Sequence, residues 1–258
     1  MPLVPVTLEQ ARLAQAAREP YRGLCADSDA QVIPWTAYRA FLEATAPALR
    51  SDTRLAGYLR AVRVMAGMLQ WTGCRIKELE RMRPDLLFGN ALYWPIGKNQ
   101  TGMRKEYLPD EYLAELAEYR RRNRVSDGQL FGIREETFTR YFNRYARPLL
   151  GPAWNARQVT VRNNLLVLDY ALQLKGFRKN FQTIIFKRHW DRYGDAGVAL
   201  EFTSKRMRHD STHMTAYHYI QNFEALGIDE WLSYWRAAKI SETEQTRLAD
   251  YAEKKNSD

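Results

Sequence analysis

Residues 203–223, TSKRMRHDSTHMTAYHYIQNF, carry side chains that could attack a phosphate. Three of the four histidines of the chain lie in this segment, together with Tyr217 and Tyr219. Tyr219 follows His209 by ten residues, and basic side chains surround both. A phenol with its ordinary pKa of about 10 is a poor nucleophile, so it needs neighbours that activate it. The segment therefore indicates a tyrosine nucleophile in a basic site, although the same composition is also typical of an exposed helix end.

The charge of the chain points to an anionic partner. Its 258 residues carry a formal net charge of +9, and the basic residues are interspersed with 15 tyrosines and 7 tryptophans. This combination favours nucleic acid as the partner, and not a membrane. The two cysteines, Cys25 and Cys74, offer neither a disulfide framework nor a CxxC metal pair. We expect a cytoplasmic protein without a signal peptide or a membrane span.

The hydrophobic pattern predicts a mainly α-helical fold with one small antiparallel β-hairpin or three-stranded sheet. The hairpin pairs residues 91–96 with residues 105–108 across a turn that holds Gly97 and Gly102. Asp52 and Asp110 are predicted to cap helices, and Gly73 to end the first of these. The predicted helices cover residues 7–18, a segment beginning at Pro34, 52–72, 75–82, 110–122, 135–149, 165–174, 181–190 and 229–238.

Five short motifs follow one another in a fixed order from residue 72 to residue 223. They are TGCRIKEL (72–79), a Gly-Lys pair at the hairpin tip, KGFRKNFQT (175–183), MRHDSTHMT (207–215) and HYIQN (218–222). In this order they resemble the conserved boxes of the tyrosine recombinases, the phage integrase family. The resemblance implies that family's catalytic-domain fold, with Glu78 as a companion acid and with these catalytic residues: Arg75, Lys98, Lys175, Arg178, His209 and Tyr219.

The sequence departs from the family pattern at several positions. Arg208 stands where the family usually has glycine before the histidine. Tyr219 is favoured as the nucleophile because an isoleucine and an asparagine follow it as in the family, but Tyr217 stays an alternative. The hairpin turn is long, so Lys105 is a rival to Lys98. The long interval between Arg178 and His209 predicts an insertion near residues 190–199.

The same resemblance predicts the domain organisation. Residues 1–31 form a short N-terminal appendage, residues 32–240 the recombinase catalytic domain, and residues 241–258 a polar tail. A separate core-binding domain is expected to be absent, as in the short fimbrial-switch recombinases. The helix that follows Tyr219, with its Trp231 and Trp235, is expected to pack on a neighbouring protomer on DNA. The competing interpretation places it on the core of its own chain.

The chemistry implied by the resemblance is DNA cleavage and rejoining through a 3′-phosphotyrosyl link. Two arginines would clamp the phosphate, Lys98 would protonate the leaving oxygen, and His209 would orient the phosphate or accept the tyrosine proton. The reaction needs no cofactor, neither metal nor ATP. The implied partners are double-stranded DNA, a homotetramer on that DNA and an accessory DNA-bending protein, as in integration by mobile elements. The alternatives are a catalytically impaired DNA-binding protein and an enzyme like a telomere resolvase or type IB topoisomerase.

Overall fold

The computed structural model describes residues 32–95, 103–125, 128–146, 158–162, 165–169, 174–207, 209, 212, 215 and 223–240. Among these residues it is mainly helical with a small three-stranded antiparallel sheet, as predicted. The helices are α1 (Trp35–Thr45), α2 (Arg54–Thr72), α3 (Ile76–Leu79), α4 (Asp110–Arg122), α5 (Glu135–Ala146), α6 (Lys175–Tyr193), α7 (Ala196–Met207), α8 (Phe223–Leu226) and α9 (Ile228–Ala237), with short 3-10 turns at Ala46–Leu49 and Pro84–Leu86. The strands are β1 (Leu87–Phe88), β2 (Ala91–Pro95), β3 (Met103–Tyr107), β4 (Gln158–Arg162) and β5 (Leu165–Asp169).

Helix α2 is the centre of the core. Every residue from Val64 to Thr72 is buried, so this half of the helix is enclosed on all sides. Helices α1, α4, α5 and α6 contact it. The Thr53 hydroxyl accepts a hydrogen bond from the backbone N–H of Ala56 at 3.2 Å and so caps the helix. The prediction of Asp52 as the cap was therefore wrong by one residue, whereas the predicted end at Gly73 is confirmed.

The three-stranded sheet has the order β1-β2-β3, with both pairs antiparallel. Trp94 lies opposite Arg104, and Tyr93 lies opposite Lys105. Because successive side chains of a strand point to opposite faces, Arg104 and Glu106 share one face and Lys105 points to the other. The predicted hairpin is thus confirmed, with its turn at residues 96–102 outside the described residues.

A second antiparallel pair, β4 and β5, contradicts two of the predictions. Residues 165–174 were expected to be helical, but Leu165–Asp169 is a strand paired with Gln158–Arg162. The sequence predicted one small β-hairpin or sheet, but the described residues form two separate antiparallel sheets. The sequence LLVLD is a short apolar run, and periodicity does not distinguish a strand from a helix at this length.

Helices α6 and α7 pack on each other across a turn at Gly194. Helix α6 begins at Lys175, six residues before the predicted start, and ends at Tyr193. Gly194 has φ 69°, the left-handed conformation that commonly follows a helix. These two helices occupy the long interval between Arg178 and His209.

The C-terminal helix α9 packs on the core of its own chain. Trp231 and Leu232 are buried, and the Trp231 ring lies 4.9 Å from the rings of both Trp35 and Tyr38. The helix was expected to pack on a neighbouring protomer. In the single chain it packs instead on its own core, which was the competing interpretation. An apolar helix face centred on Trp231 can be buried against its own core or against a neighbouring protomer, and the sequence pattern alone does not distinguish these two arrangements.

Three smaller predictions also need correction. Helix α3 ends at Leu79 and not at Met82, because the chain turns ahead of Pro84. Asp110 is the first residue of α4, after Pro109 at the cap position. Helix α9 follows Gly227 and begins at Ile228, one residue before the predicted start. The predicted helix at residues 7–18, the appendage and the polar tail lie outside the described residues.

Candidate active site

The turn between α2 and α3 presents Arg75. Gly73 ends α2 with φ 57°, and Arg75 is extended with φ −77° and ψ 150°. Its backbone N–H donates to Glu78 Oε2 at 2.8 Å, and its Nη1 donates to Glu78 Oε1 at 3.2 Å. The Arg75 side chain is 51% exposed, whereas Glu78 is 10% exposed and also accepts a hydrogen bond from the Trp94 indole. A largely buried carboxylate thus orients an arginine that solvent can still reach.

Arg178 reaches the same turn from the first part of α6. Its Nη1 donates to the Gly73 carbonyl oxygen at 2.6 Å, and the residue is only 7% exposed. Lys175, one turn earlier at the start of α6, is exposed. The motifs TGCR and KGFR, about a hundred residues apart in the sequence, therefore meet at one backbone turn.

His209 lies beyond the end of α7 and faces the same cluster of arginines. Burial lowers the pKa of His209 to about 4, and the charges of Arg178, Arg75 and Arg104 act in the same direction. Its Nδ1 lies 2.8 Å from the Thr215 hydroxyl. The imidazole is therefore neutral at pH 7 in the protein without DNA. A neutral imidazole can accept a proton or a hydrogen bond.

A backbone hydrogen bond fixes the position of His209 relative to the end of α7. The His209 N–H donates to the Ser204 carbonyl at 3.0 Å, a contact that spans five residues and closes the end of the helix. Ser204 and Met207 are buried, so one face of this end of α7 packs into the protein interior. The histidine consequently has a defined position relative to α6, on which α7 packs.

Arg104 is a member of this cluster that the sequence motifs did not identify. Its guanidinium is 8% exposed and lies between the rings of Trp94 and Phe181, at 5.1 and 5.5 Å from their centroids. Its Nη2 donates to the Thr72 carbonyl at 2.7 Å. The alternation of β3 could have revealed it, since Arg104 and Glu106 share the inward face of the strand.

Of the other predicted site residues and their rivals, some lie within the described residues and some do not. Lys98, Tyr217 and Tyr219 lie outside the described residues. Lys105 is described, and its ammonium lies 4.8 Å from the Tyr107 ring centroid and 5.8 Å from that of Tyr93. Its side chain therefore lies on the face of β3 opposite Arg104. The structure thus brings together Arg75, Arg178 and His209, and it leaves the positions of Lys98 and Tyr219 as predictions.

Within the described ranges, no three His, Cys, Asp or Glu side chains are grouped so that they could hold a metal ion. None of the helices in the same part of the chain has the length and apolar character needed to cross a membrane. The only titratable thiol in the described core is that of Cys74, and burial raises its pKa to about 12. At neutral pH this thiol is protonated and is a poor nucleophile.

Several solved structures of site-specific recombinases are similar to this chain. The crystal structure of XerA recombinase matches with a TM-score of 0.48 and 18% sequence identity, over 81% of this chain and 66% of that chain. XerH site-specific recombinase bound to difH substrate, in a pre-cleavage complex, matches with a TM-score of 0.48 and 14% identity, over 79% of this chain and 53% of that chain. The post-cleavage complex of XerH with palindromic difH matches with a TM-score of 0.46 and 15% identity, over 80% and 53%.

The chain thus spans between about half and two thirds of the length of these recombinases. No protein-family model matches the sequence, and no curated protein sequence matches it.

Proposed function

We propose that the protein is a tyrosine recombinase that cleaves and rejoins double-stranded DNA through a 3′-phosphotyrosyl intermediate. The observation that carries the proposal is that Arg178 hydrogen-bonds to the turn that presents Arg75, and that His209 lies within electrostatic range of both arginines. Three motifs spread over residues 72–215 place two guanidiniums and a neutral imidazole together. Their types are those that phosphoryl transfer to a tyrosine would require, and their order along the chain is the one that the resemblance to the tyrosine recombinases implies.

The arginines would bind the scissile phosphate. Attack on a phosphodiester builds negative charge on the non-bridging oxygens, and guanidinium groups bind such oxygens with charge-assisted hydrogen bonds. Arg75 is exposed and can reach a ligand in solvent. Arg178 donates one N–H to the Gly73 carbonyl oxygen, and this hydrogen bond orients the Arg178 guanidinium at the same turn. Lys175, exposed at the start of α6, would supply a further donor to the phosphate.

The proton transfers follow from the remaining residues. The Tyr219 oxygen would bond to phosphorus while the bond from phosphorus to the 5′-oxygen breaks. His209, neutral at pH 7, would take the tyrosine proton, and an arriving phosphate would raise its basicity by offsetting the arginine charges. Lys98 would give a proton to the departing 5′-oxygen as general acid. The phosphotyrosyl link conserves the bond energy, so rejoining by a 5′-hydroxyl requires no ATP or metal.

Trapping the covalent intermediate tests this proposal. Because the target site is unknown, the protein is incubated with a pool of randomised duplexes, each carrying a nick that lets the cleaved end diffuse away. Denaturing gels then separate protein–DNA adducts, and mass spectrometry of the digested adduct maps the modified residue. We expect the adduct on Tyr219 and its loss in Tyr219→Phe, with Tyr217→Phe as the matched control.

The alternatives give different outcomes in the same experiment. Binding to the pool without an adduct would identify a DNA-binding protein that lacks catalysis. An adduct that forms on every sequence, with relaxation of supercoiled plasmid, would identify a topoisomerase-like enzyme. An adduct on Tyr217 would move the nucleophile by two residues and leave the rest of the proposal intact. Assembly as a tetramer on DNA is part of the proposal, and so is its use in integration; both are tested once a target sequence is selected.

A further inference from the structure

Arg104 is a buried cation that contacts three separate segments of the candidate site. Its Nη2 lies 2.7 Å from the Thr72 carbonyl oxygen, 3.2 Å from Glu106 Oε1 and 3.2 Å from the sulfur of Met207. Thr72 precedes Arg75 by three residues, and Met207 precedes His209 by two. One side chain from the sheet thus contacts both the turn that presents the first arginine and the helix end that leads to the histidine.

The third segment is helix α6. The Arg104 guanidinium lies 5.5 Å from the ring centroid of Phe181, which follows Arg178 by three residues on that helix. Phe181 also packs closely against Gly73, where an added Cβ would meet the ring at 2.5 Å. Arg104 and Arg178 donate to two consecutive carbonyls, those of Thr72 and Gly73. The turn ahead of Arg75 is therefore held by two arginines from two different elements.

Glu106 keeps Arg104 in this position. The carboxylate is 3% exposed and accepts from Arg104 Nη2 at 3.2 Å and from Arg206 Nε at 3.1 Å. Arg206 Nη2 contacts the other carboxylate oxygen. Buried charges are tolerated where they are paired and hydrogen-bonded, and this carboxylate serves two guanidiniums. If Arg104 were replaced, Glu106 would still be paired with Arg206. Substitution at Arg104 therefore does not leave a buried carboxylate without a cation.

We propose that Arg104 is a positioning residue that fixes the Arg75 turn against the end of α7 and so sets the placement of Arg75 relative to His209. Its consequence for DNA cleavage rests on the function proposed above. Arg104 is almost fully buried, so it acts through Thr72 and Met207 and not by touching DNA. All three contacts are made by Nη2. The planar guanidinium fixes the direction of this nitrogen because it packs against the Trp94 and Phe181 rings, a contact that an ammonium group does not reproduce.

The test compares Arg104→Lys with wild type, since lysine keeps the charge and loses the planar guanidinium that packs against the Trp94 and Phe181 rings. In the protein without DNA, we expect the backbone amide signals of residues 73–75 and the His209 imidazole signals to shift in the NMR spectrum. In the adduct assay at saturating protein, we expect the cleavage rate to fall at least tenfold while the dissociation constant for DNA changes less than threefold. Arg83→Lys is the matched control, because Arg83 pairs with Asp85 at the surface, and we expect it to leave both measurements unchanged.

Arg104→Met serves as the second variant. It removes the charge as well as the planar guanidinium, so we expect the same loss of cleavage together with a higher His209 pKa, because one of the three arginine charges that face the imidazole is gone. The other two charges, on Arg75 and Arg178, and the Thr215 hydroxyl remain. Should lysine at position 104 give wild-type signals and a wild-type rate, the positioning role is refuted.

A failure of the proposed function can be told apart from a failure of this inference. If wild type forms no adduct with any DNA, the function is refuted, and the NMR comparison of the Arg104 variants still decides the positioning role. If wild type cleaves, the two measurements together decide it. If Arg104→Met does not fold, the lysine variant decides the positioning role alone, because it retains a cation beside Glu106.

Discussion

The Arg178 Nη1 lies 2.6 Å from the carbonyl oxygen of Gly73, two residues before Arg75. This contact links two arginines that the chain separates by about a hundred residues. A hydrogen bond from a charged donor contributes roughly 1.5–3 kcal/mol, and losing it would leave the carbonyl of a buried turn without that donor. Arg178 thus has a structural role in presenting Arg75 as well as its proposed role at the phosphate.

The two arginines should differ in what their loss does to stability. We expect Arg75→Ala and Arg178→Ala each to lower the cleavage rate on the order of a hundredfold or more, since each removes a donor to the developing oxyanion. Arg178→Ala should also lower the free energy of unfolding by roughly 2 kcal/mol, because a buried carbonyl loses its donor. Arg75→Ala should change it by less than about 0.5 kcal/mol, because the side chain is half-exposed.

Urea denaturation measures the stability of the two variants, and adduct formation on a nicked duplex measures their cleavage rates. DNA affinity should survive in both variants, since it is spread over many phosphate contacts. Normal cleavage by Arg178→Ala would show that the KGFR motif has been misinterpreted. Equal loss of stability in both variants would instead show that Arg75 is a structural residue.

The sequence predicted most of the helices and the three-stranded sheet, because their patterns are long and their end residues are distinctive. Gly73 is an example: a glycine after a helical run predicts a left-handed C-terminal residue, and φ is 57°. The strand at Leu165–Asp169 was missed because a run of four apolar residues carries no usable period. Cap residues were displaced by one position, as at Thr53, since adjacent polar residues compete for the same role.

The candidate site could be predicted from sequence only where a motif marks it. The motifs identified Arg75, Arg178 and His209, and the structure brings these three together. Arg104 was missed because it belongs to no motif, and its role depends on contacts with Thr72 and Met207 that are distant in sequence. The packing of α9 was predicted to be on a neighbouring protomer, whereas the single chain buries the helix in its own core, because an apolar face does not specify its partner.

Gly73→Ala should damage the site through both backbone and packing. The left-handed conformation costs an alanine roughly 1–2 kcal/mol, and the new Cβ would lie 2.5 Å from Cδ1 of Phe181. Gly194→Ala is the matched control, because Gly194 has φ 69° at the end of a helix with nothing within 4 Å of the added Cβ. We expect a loss of about 1 kcal/mol for Gly194→Ala and at least about twice that for Gly73→Ala in thermal or urea unfolding. Equal losses would show that the Phe181 contact is relieved without cost.

The predicted general acid can be tested with a substrate whose leaving group needs no proton. A duplex with a 5′-bridging phosphorothiolate releases a thiolate, so it should restore cleavage to Lys98→Ala and not to Arg75→Ala. Lys105→Ala should cleave normally on ordinary DNA, because Lys105 lies against Tyr93 and Tyr107 on the outer face of β3. Rescue of Lys105→Ala instead would assign the role to the rival lysine.

The lowered pKa of His209 predicts how acid affects the protein. The folded-state pKa of about 4 lies below the ordinary value of about 6.5, because of burial and then of three arginine charges. The unfolded chain therefore binds the proton more readily between these two pH values. The stabilising contribution of the neutral imidazole is complete above about pH 6.5 and is lost as the pH falls towards 4.

Denaturation of wild type and His209→Gln at several pH values measures this effect. The difference in unfolding free energy between the two proteins should be constant from about pH 8 to 7 and should shift against wild type as the pH falls below about 6. The acidic limb of kcat/KM, which reports the enzyme without substrate, should have its midpoint well below about 6.5. An NMR titration that places the His209 pKa at about 6.5 or above would contradict the arrangement of arginines around the imidazole.

Helix α9 should be required for folding of its own chain. Trp231 is fully buried against Trp35 and Tyr38, and its indole N–H donates to the Ile33 carbonyl at 3.3 Å. Trp231→Ala should therefore lower the unfolding free energy by roughly 3–5 kcal/mol, whereas Trp190→Ala, with a residue 39% exposed, should have a much smaller effect. Truncation after Phe223 removes the whole helix and should unfold the core in circular dichroism and thermal scans. A truncated protein that stays folded, still forms adducts and loses only synapsis would show that α9 is dispensable in cis, and it would restore the interpretation in which this helix docks on a neighbouring protomer.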